Sequence, residues 1–130
     1  MNYRFILFKA FVVITFILAS CAAPDKQVFI LIGDNASKTE QLTAQHIRDD
    51  VAAITGINAN IVRSEEKFSR NSINFVIGTP SSNSLIDELV QQQVLILTHD
   101  FPENRGGIRE KVELEDGHKC IVLAGNTLQG

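Results

Sequence analysis

The sequence predicts an α+β domain in which a mixed β-sheet of about five strands carries two helices packed against it. Apolar runs of strand length, such as Val28–Ile32, alternate with segments whose apolar residues recur at helical spacing. Near the end of the chain Asp116-Gly117, a strong hairpin signal, separates two further strand-like segments. The order strand, helix, strand, strand, helix and hairpin favours a single sheet covered by helices.

The first strand and the first helix are predicted between Val28 and Gly56. Val28–Ile32 contains no polar residue, which is typical of a strand that is buried on both faces. Ser37 and Glu40 have the spacing of a capping box, which satisfies free backbone N–H groups at the start of a helix. Gly56 is expected to end this helix as a left-handed cap. Four apolar residues recur on one predicted helix face, at Ala44, Ile47, Val51 and Ile54.

The middle of the chain is predicted to add two strands and the start of a second helix. Ile57–Val62 can form a short strand, and the polar stretch Arg63–Ser72 is expected to be a loop. Ile73–Ile77 is the third predicted strand. The second helix is expected to begin after Ser82 or Asn83, since both residue types are good helix caps.

The remaining elements are predicted from shorter patterns. The second helix should reach about Gln93, and Val94–Leu97 is either a short strand or an extended connection. His99–Gly107 is rich in turn residues. Ile108–Leu114 alternates between apolar and charged residues, as a half-exposed strand does, and Lys119–Ala124 is the strand that returns from the hairpin.

The N-terminal residues have the three parts of a secretory signal. Arg4 and Lys9 form a short basic flank, and Ala10–Ala19 is apolar except for one threonine. This run ends in Leu18-Ala19-Ser20-Cys21, which resembles the lipobox of bacterial lipoproteins. A retained transmembrane helix is the alternative, but the apolar part is shorter than the roughly 20 residues that span a bilayer. We therefore predict that residues 1–20 are a cleaved lipoprotein signal peptide.

The lipobox resemblance implies that the thiol of Cys21 takes a diacylglycerol and that the mature protein begins at this residue. Acyl chains buried in a bilayer would anchor the protein to a membrane of the bacterial cell envelope, with the outer membrane expected. Residues 21–27 would then form a short tether between the lipid and the first strand.

Charge and cysteine content narrow the possible partners. Loss of residues 1–20 removes two cations and takes the formal net charge from −3 to −5, and the remaining 110 residues suffice for one domain. Lys and Arg form no cluster in the sequence, so no nucleic-acid partner is expected.

With Cys21 acylated, no disulfide can form within the chain. The apolar neighbours of Cys120 favour a buried thiol over a reactive one.

Two predicted strand-to-helix turns, Gly33–Ser37 and Gly78–Ser82, are candidates for anion binding through backbone N–H groups. Neither contains the dinucleotide-binding fingerprint or a Walker A lysine. Ordinary turns are therefore favoured, and no cofactor is expected.

Other polar residues are candidates for metal ligands or catalytic groups. A metal-binding pair could form on one helix face from His46 with Asp49 or Asp50, but closed zinc sites need four ligands and nothing fixes His99 or His118 nearby. A glycosidase pair could be sought among the acidic residues near the hairpin, which are Glu110, Glu113, Glu115 and Asp116. Because Glu113 and Glu115 share a predicted exposed face, they lack the distinct environments that acid and nucleophile need. We predict no metal ligand and no catalytic residue.

Three stretches, taken in order, carry a family resemblance. They are Val28–Val62 with its Arg48-Asp49-Asp50-Val51 and Thr55-Gly56, Asn74–Thr79, and Cys120–Gly130. Together they resemble the N-terminal accessory domain of exo-acting glycoside hydrolases, which include bacterial alpha-glucuronidases and beta-N-acetylhexosaminidases. In that family the domain is an α+β module that precedes a catalytic TIM barrel and does not supply the main catalytic groups.

The resemblance implies that residues 28–130 are such an accessory domain, truncated at the C-terminus, because the family's chain continues from the Gly130 position towards the barrel. We expect a non-catalytic part of a lipid-anchored glycoside hydrolase that degrades polysaccharide. Its partners would be the membrane and the barrel, and polysaccharide would bind only through the barrel. A different class stays open, a free-standing small envelope lipoprotein that binds a ligand or a protein through Arg63–Ser72 and His99–Gly107.

Overall fold

The computed structural model describes residues 25–98 and 106–125, which form one five-stranded sheet with a helix on each face. The predicted signal peptide and Cys21 lie outside the described residues, as do residues 99–105 and 126–130. The predicted α+β class, with a mixed five-stranded sheet and two helices, is confirmed. The strands are β1 (Val28–Ile32), β2 (Asn60–Val62), β3 (Ile73–Gly78), β4 (Gly107–Glu113) and β5 (Lys119–Gly125), and the helices are α1 (Lys38–Thr55) and α2 (Ser84–Gln91).

The sheet has the order β2-β1-β3-β5-β4. The neighbours among β2, β1, β3 and β5 are parallel, and β4 pairs antiparallel with β5. All five residues of β1 are buried, as its uninterrupted apolar sequence predicted. Its alternate residues contact opposite faces: Ile30 belongs to the apolar cluster that includes Ala44 of α1, and Leu31 to the cluster that includes Ile86 of α2.

The predicted caps of α1 are confirmed. The Ser37 hydroxyl accepts a hydrogen bond from the Glu40 N–H at 3.2 Å, and the Glu40 carboxylate accepts one from the Ser37 N–H. Gly56 ends the helix with a φ of 73°, in the left-handed region that favours glycine. Its N–H donates to the Ala52 carbonyl at 2.9 Å.

One residue of the predicted α1 core face is wrongly placed. Ala44 is fully buried, and Ile47 and Val51 pack beside it, but Ile54 is 83% exposed. The 18 residues of α1 extend about 27 Å, whereas the five residues of β1 extend about 17 Å. The helix is longer than the strand it covers, so its last turn has little sheet to pack against.

The second helix begins at its predicted cap and ends slightly earlier than expected. Asn83, rather than Ser82, is the N-cap, and its side-chain oxygen accepts from the Leu85 N–H at 3.1 Å. The chain turns back after Gln91 because Gln93 has a φ of 60°. Val94–Leu97, predicted as either a short strand or an extended connection, forms no strand, and this connection buries Leu95.

The predicted hairpin is confirmed, with Asp116-Gly117 in its turn. The Leu114 N–H donates to the His118 carbonyl at 2.8 Å and closes the ladder. A 3₁₀ turn, Glu65–Lys67, interrupts the predicted loop between β2 and β3. Phe68, which follows this turn, is buried in the α2 cluster, so part of the loop contributes to the core.

Candidate functional site

The clearest candidate surface is the half of the sheet that α1 covers only in part. The α1 side chains pack with β1, β2 and Ile77 of β3, and Phe75 and Leu123 pack partly buried against this cluster. Over the same side of β3, β5 and β4, the described part of the chain places no second helix. Four apolar side chains define this surface, which we call the open face: Ile73, Phe75, Ile121 and Leu123. Ile73 is 43% exposed and the other three are half-buried.

Strand register builds the open face from adjacent positions. Phe75 of β3 pairs with Ile121 of β5, and Leu123 lies one pleat further along the same strand face. The neighbouring β4 positions are charged, because Lys111 is opposite Ile121 and Arg109 is opposite Leu123. Long cationic side chains can lay their apolar stems over such neighbours while the charge stays in water. The open face is therefore apolar at its centre and charged along β4.

Two shallow cavities follow the open face. One has a volume of about 400 Å³ and is lined by residues that include Ile73, Lys111 and Ile121. The other, of about 410 Å³, lies towards the opposite end of the strands, where Arg109 and Leu123 contribute to its wall.

The loops that follow β1 and β3 contact each other closely. Ligands of parallel sheets commonly bind outside the carboxyl ends of neighbouring strands such as these. Here a Cβ atom on Gly33 would lie 1.7 Å from the Ser82 carbonyl oxygen. The Glu40 carboxylate accepts hydrogen bonds from the Ser82 hydroxyl and the Ser37 N–H, and the Arg63 guanidinium donates to the Gly33 carbonyl at 2.6 Å. The polar groups of these turns are thus bonded within the protein.

Sequence reasoning missed the contacts between these turns and one buried amide. The capping box revealed Glu40, but its bond to Ser82 joins residues 42 positions apart and has no sequence signal. Asn74 is 2% exposed within β3, where its side chain donates to the Lys119 carbonyl at 3.1 Å and accepts from the Ser72 hydroxyl at 2.7 Å. A polar residue inside an otherwise apolar strand was the available signal, because buried amides need partners.

The two described histidines, His46 and His118, lie on different elements, α1 and the β4–β5 hairpin. His46, Asp49 and Asp50 are exposed on α1, and Asp49 pairs with Arg48 at 2.9 Å. His118 lies 2.6 Å from Asp116 through its Nδ1 atom. Within residues 25–98 and 106–125, no group of three or more His, Cys, Asp or Glu side chains is arranged to hold a metal. His99 lies outside the described residues.

The carboxylates near the hairpin are exposed, as the sequence predicted for Glu113 and Glu115. Glu110 and Asp116 are exposed as well. The pKa of Asp116 is lowered, first by the hydrogen bond from the His118 N–H and then by the His118 side chain. An acid catalyst needs the opposite shift, which comes from an apolar pocket.

Cys120 is buried, as predicted, with 2% of its surface exposed. Burial raises its pKa to about 11, and the negative charge of Asp116 acts in the same direction. The thiol is therefore protonated at neutral pH, and a protonated thiol is a poor nucleophile and a poor metal ligand.

These features define a small α+β module whose most distinctive surface is an open, apolar sheet face beside a charged edge strand. No protein-family model matches the sequence, and no curated protein matches it. In the part of the chain that the structure describes, no helix has the length and apolar character needed to cross a membrane.

Proposed function

We propose that this chain is the non-catalytic N-terminal accessory domain of a lipid-anchored envelope glycoside hydrolase, and that its open face packs against the catalytic barrel. The membrane anchor in this proposal is the acylated Cys21. Polysaccharide would be bound and cleaved by the barrel. The observation that supports the proposal most is the incompletely covered apolar surface formed by Ile73, Phe75, Ile121 and Leu123.

The composition of the open face suits contact with another domain of the same chain. Covering apolar surface gains about 25 cal/mol per Å², so the exposed 43% of Ile73 favours association. The charged side chains of Arg109 and Lys111 are exposed along β4, where they can stay hydrated at the rim. An apolar centre with a polar rim is the usual composition of a protein interface.

The carboxylates support a non-catalytic role. Glu113 and Glu115 are exposed, and no apolar pocket separates an acid from a nucleophile among them. This chain should therefore bind and position, and the barrel should supply the acid and the nucleophile.

The lipoprotein alternative relies on two loops. In the first, Phe68 is buried, Arg63 bonds the Gly33 carbonyl, and Ser69 and Ser72 bond each other. Much of that loop is thus engaged in internal contacts. Most of the second loop, 99–107, lies outside the described residues. The open face gives the accessory-domain proposal the stronger support.

The test is to express the gene with the codons that follow Gly130 and to assay both products on aryl glycosides. We expect the longer product to contain a barrel and to hydrolyse the substrate, and the present chain to be inactive. Hydrolysis by the present chain that is lost in Glu113→Gln would overturn the proposal. A stop codon directly after Gly130, with a stable product in cells, would favour the small lipoprotein.

A further inference from the structure

β4 is an edge strand of the described sheet. It is the last strand in the order β2-β1-β3-β5-β4, and no described strand pairs with its outer side. The Leu114 N–H bonds the His118 carbonyl, which fixes which peptide groups of β4 point towards β5. Bonded and non-bonded pairs alternate in an antiparallel ladder, so Glu110 and Val112 bond towards β5. The peptide groups of Lys111 and Glu113 therefore point outwards from the sheet.

Two charges near the end of this edge complement each other. On the open-face side of the strand the residues are Arg109, Lys111 and Glu113, and all three are exposed. The cation Lys111 and the anion Glu113 flank Val112, so this pair read backwards has the opposite sign at both positions. An antiparallel copy of the same strand presents this reversed order.

One register both pairs opposite charges across the two strands and aligns their outward backbone groups for hydrogen bonding. With Val112 opposite Val112 of a second copy, Lys111 lies opposite Glu113 of that copy. The outward peptide groups of Lys111 and Glu113 then exchange hydrogen bonds between the copies. Opposite charges directly across a sheet attract, and like charges repel.

The neighbouring registers fail on charge. Pairing centred on Glu110 places Glu110 opposite itself and Arg109 opposite Lys111. Pairing centred on Lys111 places Arg109 opposite Glu113 but Lys111 opposite itself, so a like-charge pair at its centre opposes the attraction. A shift of a single residue from the Val112 register would also place side chains of one copy against the wrong face of the other.

We propose that β4 is a homodimer interface, in which two copies of this chain pair their β4 strands antiparallel about Val112 and form one continuous sheet. The partner is a second copy because Lys111 and Glu113 complement each other about Val112, and the two-fold axis forms the Lys111–Glu113 pair twice. This proposal does not depend on the proposed function, since it uses the edge of β4 and not the apolar centre of the open face.

The test measures association of the full chain, carrying Cys21→Ala so that no acyl anchor brings copies together. We expect sedimentation equilibrium to show a dimer whose dissociation constant rises with salt, because exposed charge pairs are screened. Lys111→Glu and Glu113→Lys should each weaken dimerisation about tenfold, because attractive pairs become repulsive at two symmetric places.

The decisive sample is an equimolar mixture of the two variants. In a mixed dimer, the Lys111→Glu copy carries carboxylates at positions 111 and 113, and the Glu113→Lys copy carries ammonium groups at the same two positions. Both cross-strand pairs are therefore attractive. The mixture should therefore form a heterodimer while each variant alone stays mostly monomeric. A loss of folding in Glu113→Lys, which also faces Lys119 within its own sheet, could not produce this rescue. Asp50→Lys is the matched control, because it makes the same charge change on the exposed side of α1 and should dimerise normally.

Three results would overturn the proposal. The first is a monomer at every concentration. The second is a dimer that neither charge reversal weakens. The third is a dimer that each single variant loses and that the mixture of the two variants does not restore. In that case, loss of the dimer in Ile73→Glu would show that the copies associate through the open face instead.

Discussion

The backbone of Gly33 lies so close to Ser82 that a side chain at position 33 would meet the Ser82 carbonyl oxygen at 1.7 Å. This contact joins the turn after β1 to the turn after β3. The Glu40 carboxylate, in the first turn of α1, accepts a hydrogen bond from the hydroxyl of the same Ser82. The carboxyl end of the sheet is therefore held by backbone packing and a carboxylate together.

Gly33→Ala should destabilise the fold strongly. A Cβ at 1.7 Å from a carbonyl oxygen requires movement of the backbone itself, so we expect a loss of roughly 3 kcal/mol in the free energy of unfolding. Urea denaturation followed by circular dichroism measures it. Gly125→Ala is the matched control, since its Cβ would meet the nearest atom at an ordinary 3.7 Å. Equal stability of the two variants would show that the turns do not touch as described.

Ile86→Ala should cost about 2–5 kcal/mol, because Ile86 is fully buried between α2 and the sheet. Ile54→Ala removes the same atoms from a side chain that is 83% exposed, and it should change stability by less than about 0.5 kcal/mol. Thermal melts of both variants make the comparison. Similar losses in the two would mean that the last turn of α1 is covered after all.

The thiol of Cys120 should make stability fall at high pH. Its pKa is about 11 in the folded chain against an ordinary 9.0, so between these values the unfolded chain releases a proton that the folded chain keeps. The contribution is complete below pH 9 and is lost as the pH rises through 11. Between about pH 8 and about pH 10, the wild type should lose about 1 kcal/mol more than Cys120→Ala. Parallel urea titration curves for the two proteins at both pH values would contradict the buried thiol.

Replacement of Cys21 by Ala should abolish lipid attachment and release the protein from the membrane fraction. The thiol is the expected acyl acceptor, and at least two acyl chains are needed for stable anchoring. Metabolic labelling with a fatty acid measures the attachment, and Cys120→Ala serves as the control that keeps the label. A label that persists without Cys21 would rule out the lipoprotein signal.

Much of the fold was predictable because each element has a local signal. The capping box at Ser37 and Glu40, the left-handed Gly56 and the Asp116-Gly117 turn all lie where the sequence placed them. Ile54 was misplaced because helical spacing fixes a direction around the helix but says nothing of where the sheet ends.

The candidate site was less accessible to sequence reasoning. Cys120–Ala124 is a continuous apolar run like β1, which predicted a well-covered strand. The structure buries Cys120, Val122 and Ala124 but leaves Ile121 and Leu123 half-buried. Coverage depends on which strands α1 lies over, and this follows from the strand order rather than from any local pattern.

The most direct test of the account is whether the open face binds the barrel. We would titrate the barrel, produced as a separate protein, with the present chain in three forms: wild type, Ile73→Glu and Ile54→Glu. Both variants place the same charge on an exposed isoleucine, but only Ile73 belongs to the open face. Burial of an isoleucine is worth about 1.5–3 kcal/mol, so Ile73→Glu should weaken binding at least about tenfold while Ile54→Glu binds as the wild type does. Equal binding by all three forms, or no binding by the wild type, would contradict the account.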